Sequence, residues 1–432
     1  MKKRALILFL LIMPWLSILR GQKIITLREC YDKASAAAAF ADEKTQWSDI
    51  WQLRDRNLSK GWLPSLDANG SFAYNSEVID LGSVLGKLPI PGLANAIKPL
   101  PNEQYKMTLD INQVIWDGGA IKSARALEKS DMTLNQKQTE VDLYKTRSQV
   151  NTYYFNLLLL SRQRELLKTY IDLIDKRITS MQSSIDNGIR IKSDGDVLAS
   201  EKLKLEQQLK ENEITSSSLL KLLSDITGIP VDTASQFIIP LLPAELSREL
   251  ARPELAVFDL RREQLNTGLR AIESSRMPKA FGFATLGYGN PPGNNFLKNE
   301  FAPYYLVGAG IKWNIFDWNQ AKNEKRVNAL QQQVLENRKS DLAQNLNRLL
   351  EAKQAEIESL RTLLETDNDL VALRKRITAS AESQYENGTI TATEYMDEMD
   401  SEREAVINRE VHKVNLALAQ VEFINISGRD IE

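Results

Sequence analysis

His412 is the only histidine of the sequence and Cys30 its only cysteine, so the side chains richest in chemistry come singly. A lone cysteine forms no intramolecular disulfide and no cysteine-based metal site. His412 lies among Val411, Val414 and Leu416, and reads as a surface or packing residue of a helix, because no partner for acid–base or metal chemistry stands near it. Cys30 reads as packed within the first helix, as free cysteines often are. The carboxylates Glu394, Asp397 and Asp400 recur at helical spacing. That pattern suits a solvated helix face, or negative charge near a helix N-terminus. There is no phosphate-binding loop, zinc motif or nucleophile elbow. Gly118-Gly119 follows a strand pattern but is a lone pair, which fits a strand-to-helix bend better than a nucleotide fingerprint. These observations predict a protein that is not an enzyme and uses no cofactor or metal. A net charge of -2 provides no bulk field for nucleic acid.

The elements that carry these residues occur twice. Tyr105 opens a run that alternates apolar and polar residues and ends in Ile115-Trp116-Asp117; a long polar segment then stops at Asn187-Gly188. Tyr305 opens a second such run, ending in Ile315-Phe316-Asp317, and its long segment stops at Asn387-Gly388. Tyr105 and Tyr305, Asp117 and Asp317, Lys122 and Lys322, and the two Asn-Gly pairs share one offset. Repetition of this kind decides architecture. The unit is a strand, a very long helix and a tight reversal. From Ala120 to Ile185 there is neither Pro nor Gly. A helix of that span is on the order of 100 Å long, which implies a coiled coil or helical array.

The chain divides accordingly. Lys2-Lys3-Arg4 and the apolar run Ala5 to Leu19 predict a secretory signal peptide over residues 1–21, with no cysteine after it for lipid attachment. Residues 22–229 form the first repeat, 230–252 a linker and 253–432 the second repeat. Residues 24–60 read as one helix with Thr26 as its N-cap, ending before Pro64. Strands are expected at 66–74, 105–116, 281–289 and 305–315, with loops at 75–104 and 290–303 rich in Pro and Gly. Helices are expected at about 120–185, 196–225, 253–277, 320–385 and 393–424 by the same punctuation.

No other apolar run is long enough for a membrane helix, so a membrane span would have to use strands. Four strands cannot close a barrel, and their open edges invite other chains. The strand pattern alone fits two architectures: a soluble β-layer capping a coiled coil, or a membrane barrel shared between copies. The N-terminal signal favours the barrel. Tyr105, Trp116, Tyr305, Trp313 and Phe316 then fall towards the strand ends, as in an aromatic girdle.

The plan resembles the TolC-like outer membrane efflux proteins. The resemblance rests on Thr26-Leu27-Arg28-Glu29-Cys30, the strand starts at Leu63-Pro64 and Met277-Pro278, Ile115-Trp116-Asp117-Gly118-Gly119, Ile315-Phe316-Asp317 and the two Asn-Gly tips. It covers nearly all of the chain after the signal. It implies a mixed, mainly α fold, with a helical periplasmic barrel and a membrane β-barrel completed by trimerisation, four strands per chain. It also implies a homotrimer in outer-membrane lipid, passive transport, a periplasmic adaptor and an inner-membrane pump, in a tripartite efflux or type I secretion system. By the resemblance, Glu394 and Asp397 narrow the periplasmic mouth, where closely spaced carboxylates attract cations. Asp194 takes a position that holds the mouth closed by pairing with an Arg, but Ile390 occupies the Arg position here. Asn187, Gly188, Asn387 and Gly388 become the adaptor-facing tips. The rival reading is a periplasmic adaptor or coiled-coil scaffold, which the duplicated long helices fit less well.

Overall fold

The structure, a computed structural model, describes residues 24–79, 99–187, 191–243, 245–295 and 297–431. The signal segment 1–21 lies outside them. The chain runs β1 (Ile24–Ile25), α1 (Leu27–Ala37), α2 (Glu43–Ser59), a 3-10 turn (Lys60–Trp62), β2 (Ser65–Tyr74), β3 (Glu103–Trp116), α3 (Ala120–Asp186) and α4 (Lys192–Thr227). It continues through β4 (Gln236–Phe237), α5 (Pro253–Ser275), β5 (Lys279–Asn290), β6 (Ala302–Lys312), α6 (Gln320–Glu386) and α7 (Ala392–Ser427). The helix–tip–helix plan therefore repeats, with α3 and α6 each 67 residues long. No described helix is long and apolar enough to cross a membrane.

The chain forms two compact units that cut across the sequence repeats. One comprises Met1–Ala41, Glu140–Pro253 and Ala343–Glu432; the other comprises Asp42–Thr139 and Glu254–Leu342. The boundary at Ala41 corrects the single helix expected over 24–60. Thr26 does cap α1, its Oγ1 accepting from the Glu29 N–H at 3.2 Å. The helix then stops at Ala38, where ψ opens to 136°, and α2 begins at Glu43 in the other unit. Alanine favours helix, but its methyl offers little apolar surface to bury, so tertiary context overrides propensity there.

In the first unit, β1 pairs with β4 in parallel. Tyr154 of α3 ties this pair down. Its hydroxyl donates to Ile238 O at 2.7 Å, with Ile25 O at 3.0 Å, and accepts from Ile238 N at 3.3 Å. Ile25, Leu27, Cys30, Leu158 and Leu223 surround it, all essentially inaccessible to water. Burial of each Leu or Ile there contributes about 2 kcal/mol. Cys30 is thus a core residue. His412 is not merely a surface side chain: its Nδ1 lies 2.6 Å from Asp367 Oδ2, joining α7 to α6.

In the second unit, β2, β3, β5 and β6 make one antiparallel sheet in that order. β3 leads into α3 through Asp117, whose carboxylate accepts from Gly119 N at 2.8 Å and Ile121 N at 2.6 Å. Gly118 has φ +69, and a Cβ there would lie 2.5 Å from Met277 Cβ, so this bend needs glycine. Asp317 accepts from Ala321 N at 3.0 Å in the same way at α6. The alternation expected to run to Ile315 ends as a strand at Lys312. The reason is pairing: Lys312 opposes Lys279, the first residue of β5, and nothing lies beyond for Trp313 to pair with.

Candidate functional site

The sheet has two unlike faces, and its register shows how. Leu66 stands opposite Ile111, Ala68 opposite Leu109 and Phe72 opposite Tyr105. Leu109 in turn opposes Leu286, and Met107 opposes Tyr288. Leu286 opposes Tyr305 and Ala284 opposes Val307. These residues share one side because side chains alternate along a strand. That side is bare: Met107, Tyr305, Val307 and Ile311 are 70%, 78%, 70% and 77% exposed. An uncovered apolar face of this extent requires a nonaqueous environment or a partner.

The opposite face carries Asp67, Asn69, Lys106, Thr108, Asp110 and Thr285. Asp110 accepts from Thr285 Oγ1 at 2.6 Å, Asn69 Nδ2 at 2.8 Å and Thr108 Oγ1 at 2.8 Å, a network that spans three strands. Small residues on this face are covered by rings. A Cβ at Gly287 would lie 2.2 Å from Tyr304 Cζ, and one at Gly308 would lie 2.5 Å from Phe283 Cζ. Among the described residues, the outer edges of β2 and β6 pair with no other strand.

The five aromatic residues expected at the strand ends divide into two groups. Tyr105 and Tyr305 lie near one end. The Tyr105 ring centre is 5.0 Å from Phe72 and 5.7 Å from Phe301, which stacks on Tyr288 at 5.9 Å. Trp116, Trp313 and Phe316 lie at the other end, all more than half exposed. There Trp313 Nε1 donates to Arg276 O at 3.1 Å, and Phe316 meets Trp318 at 4.8 Å. From Tyr105 to Trp116 the strand rises about 36 Å, or about 25 Å along the axis of a barrel with strands tilted by about 45°. Sequence reasoning missed Phe301 and Trp318 because both lie outside any alternating run.

The helix ends are built in the other unit. Asn187 and Asn387 act alike: each N–H donates to the carbonyl four residues back, at 3.2 Å and 3.1 Å, and each Nδ2 donates to the same carbonyl. Gly388 has φ +74, its N–H donates to Tyr385 O at 3.0 Å, and Thr389 N donates to Gln384 O at 2.9 Å. Gly188 lies outside the described residues. Past the second tip, Thr391 Oγ1 accepts from Glu394 N at 3.2 Å, while Glu394 Oε2 accepts from Thr391 N at 2.8 Å and Thr391 Oγ1 at 3.0 Å. These bonds hold the Glu394 carboxyl below the usual carboxylate range, the Thr391 backbone N–H contributing most. Asp397 is exposed on the same helix, one turn on. Asp194 is half-buried in the first turn of α4, where Ile191 at the N-cap offers no side-chain acceptor. No bond among the described residues joins Asp194 to Glu394 or Asp397. Ile390, at the expected Arg position, packs against the apolar cluster of Tyr385, Tyr395 and Met396 instead.

A second cluster in this unit was not legible in the sequence. Arg403 of α7 is only 9% exposed. Its Nη1 donates to Glu201 Oε1 of α4 at 3.0 Å, and its Nη2 lies 2.9 Å from Asp400 Oδ1. Lys204 reaches Glu201 at 3.2 Å and Asp400 at 3.6 Å. Burial pushes the Asp400 carboxyl up, Arg403 opposes this and Glu201 adds to it. Arg177 binds Glu382 and, at 3.0 Å, Glu386, and Tyr385 stacks on Tyr395 at 5.3 Å. Asp400 and Arg403, and Glu201 and Lys204, stand three residues apart on their helices, but the bonds from α7 to α4 and from α3 to α6 join residues about 200 apart in sequence, so no spacing marks those.

The chain is similar in structure to several solved bacterial channels. Against the open state of the Neisseria gonorrhoeae MtrE outer membrane channel the TM-score is 0.65 at 15% identity, covering 94% of this chain and 89% of that one. The outer membrane protein VceC of Vibrio cholerae gives 0.63 at 14%, covering 94% and 97%. The Campylobacter jejuni CmeC outer membrane channel gives 0.62 at 14%, covering 93% and 84%. No protein-family model and no curated protein matches the sequence.

Proposed function

We infer that this chain, which has the fold of the TolC-like channels, is one subunit of an outer-membrane exit duct. The observation that carries the reading is the two-faced sheet with two open edges. Three copies joined edge to edge close twelve strands, put the Leu109–Leu286–Tyr305 face against lipid and turn the Asp110 face to a wet lumen. The aromatic ends then sit at the two interfaces. The duct conducts passively, since it holds no energy-coupling motif. An inner-membrane pump and a periplasmic adaptor of a tripartite efflux or type I secretion system supply substrate.

Within that assembly, the tips at Asn187-Gly188 and Asn387-Gly388 face the adaptor. Asp397 faces the mouth, while Glu394, engaged by Thr391, contributes charge there and also stabilises the start of α7. Asp194 has no Arg to bind at Ile390, so closure in this chain is served by the Arg403–Glu201 cluster of α7 and α4. The periplasmic adaptor reading is disfavoured because an adaptor leaves no reason for the exposed apolar sheet face.

The deciding experiment is the native mass of the protein extracted in detergent, corrected for bound detergent, followed by conductance in planar bilayers. A conducting trimer is expected. A monomer that stays in solution without detergent overturns the reading.

A further inference from the structure

Lys279 and Lys312 oppose each other directly at the helix-side end of the sheet, with a position on β5 and β6 that places both on the polar face. Both are exposed, and among the described residues no carboxylate pairs with either. Like charges directly opposite across a ladder destabilise the pairing, so this rung is held at a cost. Its neighbours do not relieve it. The next position inward is the Phe281 ring, lying over Gly310 so closely that a Cβ there would be 2.7 Å from Cζ. The two carboxylates just past this end of the sheet are committed elsewhere: Asp117 to Gly119 N and Ile121 N, and Asp317 to Ala321 N with Arg276 3.7 Å away.

The acidic rung of the same face lies further along. Asp67 opposes Asp110, which opposes Thr285, about 20 Å from Lys279 along β5. Unlike the lysines, these carboxylates are served by donors, three on Asp110 and Ser65 on Asp67 at 3.3 Å. Lys106 offsets one of the two charges. The face therefore carries two uncompensated positive charges at one rung against one net negative charge at the other.

We propose that Lys279 and Lys312 form a positively charged filter that favours anions within the barrel lumen, in series with the cation-attracting carboxylates Glu394 and Asp397 at the mouth. The proposal rests on the trimeric duct reading, in which the pair from three copies makes a ring of six lysines. A ring of amino groups lowers the energy of an anion in the lumen and raises that of a cation. Carboxylate- or phosphate-bearing solutes are the class favoured, and the Phe281 ring beside the lysines suits those with an apolar part.

The test is the reversal potential of single channels under a KCl gradient. The quantity read is the ratio of chloride to potassium permeability, which the lysines raise and the mouth carboxylates lower. K279Q/K312Q lowers that permeability ratio by roughly fivefold, K279R/K312R keeps it, and D67N/D110N raises it. Native mass in detergent checks that each variant remains a trimer. Conducting K279Q/K312Q trimers with an unchanged ratio, or a lowered ratio in the arginine pair, each overturns the filter while leaving the duct intact. Wild-type trimers that never conduct defeat the duct reading and the filter with it.

Discussion

Arg403 of α7 donates to Glu201 of α4 at 3.0 Å, with both side chains close to nine-tenths buried. A buried ion pair contributes little net stability against apolar residues of the same size, but removing one partner leaves the other charge stranded. Replacing Arg403 by Met leaves Glu201 and Asp400 side by side with only the more exposed Lys204 to offset them. The expected loss is about 3 kcal/mol, read as a lower thermal midpoint in detergent, with longer open times in bilayers if the pair holds the helices of the closed state. E201M/R403M recovers most of the midpoint. A single variant as stable as the parent contradicts the assignment.

Glu394 gives a pH dependence with a definite sign. Its folded carboxyl is held below its ordinary value by Thr391. A depressed carboxyl contributes stability above its unfolded value, and that contribution disappears as pH falls through the folded one. Stability of the parent therefore declines on the acid side partly through this group. E394Q flattens that decline and leaves the Asp397 charge in place. Thermal midpoints across the acid range measure it, and parallel curves for parent and variant exclude a contribution from the ionised carboxylate.

Gly388 occupies φ +74 with open space around it, since a Cβ there meets nothing within 4 Å. The cost of G388A is therefore conformational alone, about 1 kcal/mol. Trimers of the variant should persist. If the tip docks an adaptor, a bulkier change such as G388W weakens adaptor binding in a pull-down while leaving conductance unaltered; undiminished binding refutes the docking role.

The two sides of the sheet should respond differently to one substitution. Val307 on the apolar face is 70% exposed. V307R places a guanidinium against lipid and is expected to cost about 2 to 4 kcal/mol near the bilayer midplane. T108R, on the polar face, is expected to assemble. Yields of folded trimer in membranes compare them; equal yields contradict the orientation.

Much of this was written locally in the sequence. The alternation around Tyr105 and Tyr305, the Gly- and Pro-free spans of α3 and α6 and the Asn-Gly tips depend on neighbours a few residues apart, so period and punctuation reveal them. Thr391 and Glu394 belong to the same class, because a capping box closes within one turn. What only the tertiary structure decided is non-local. The break after α1 accompanies the passage of the chain from one compact unit to the other after Ala41. The end of β6 at Lys312 follows from where β5 begins. The meeting of Arg403 with Glu201, and of Lys279 with Lys312, follows from how separate elements align. Side chains brought together from distant parts of a chain leave no period to read, because their spacing in sequence is set by the lengths of the elements between them.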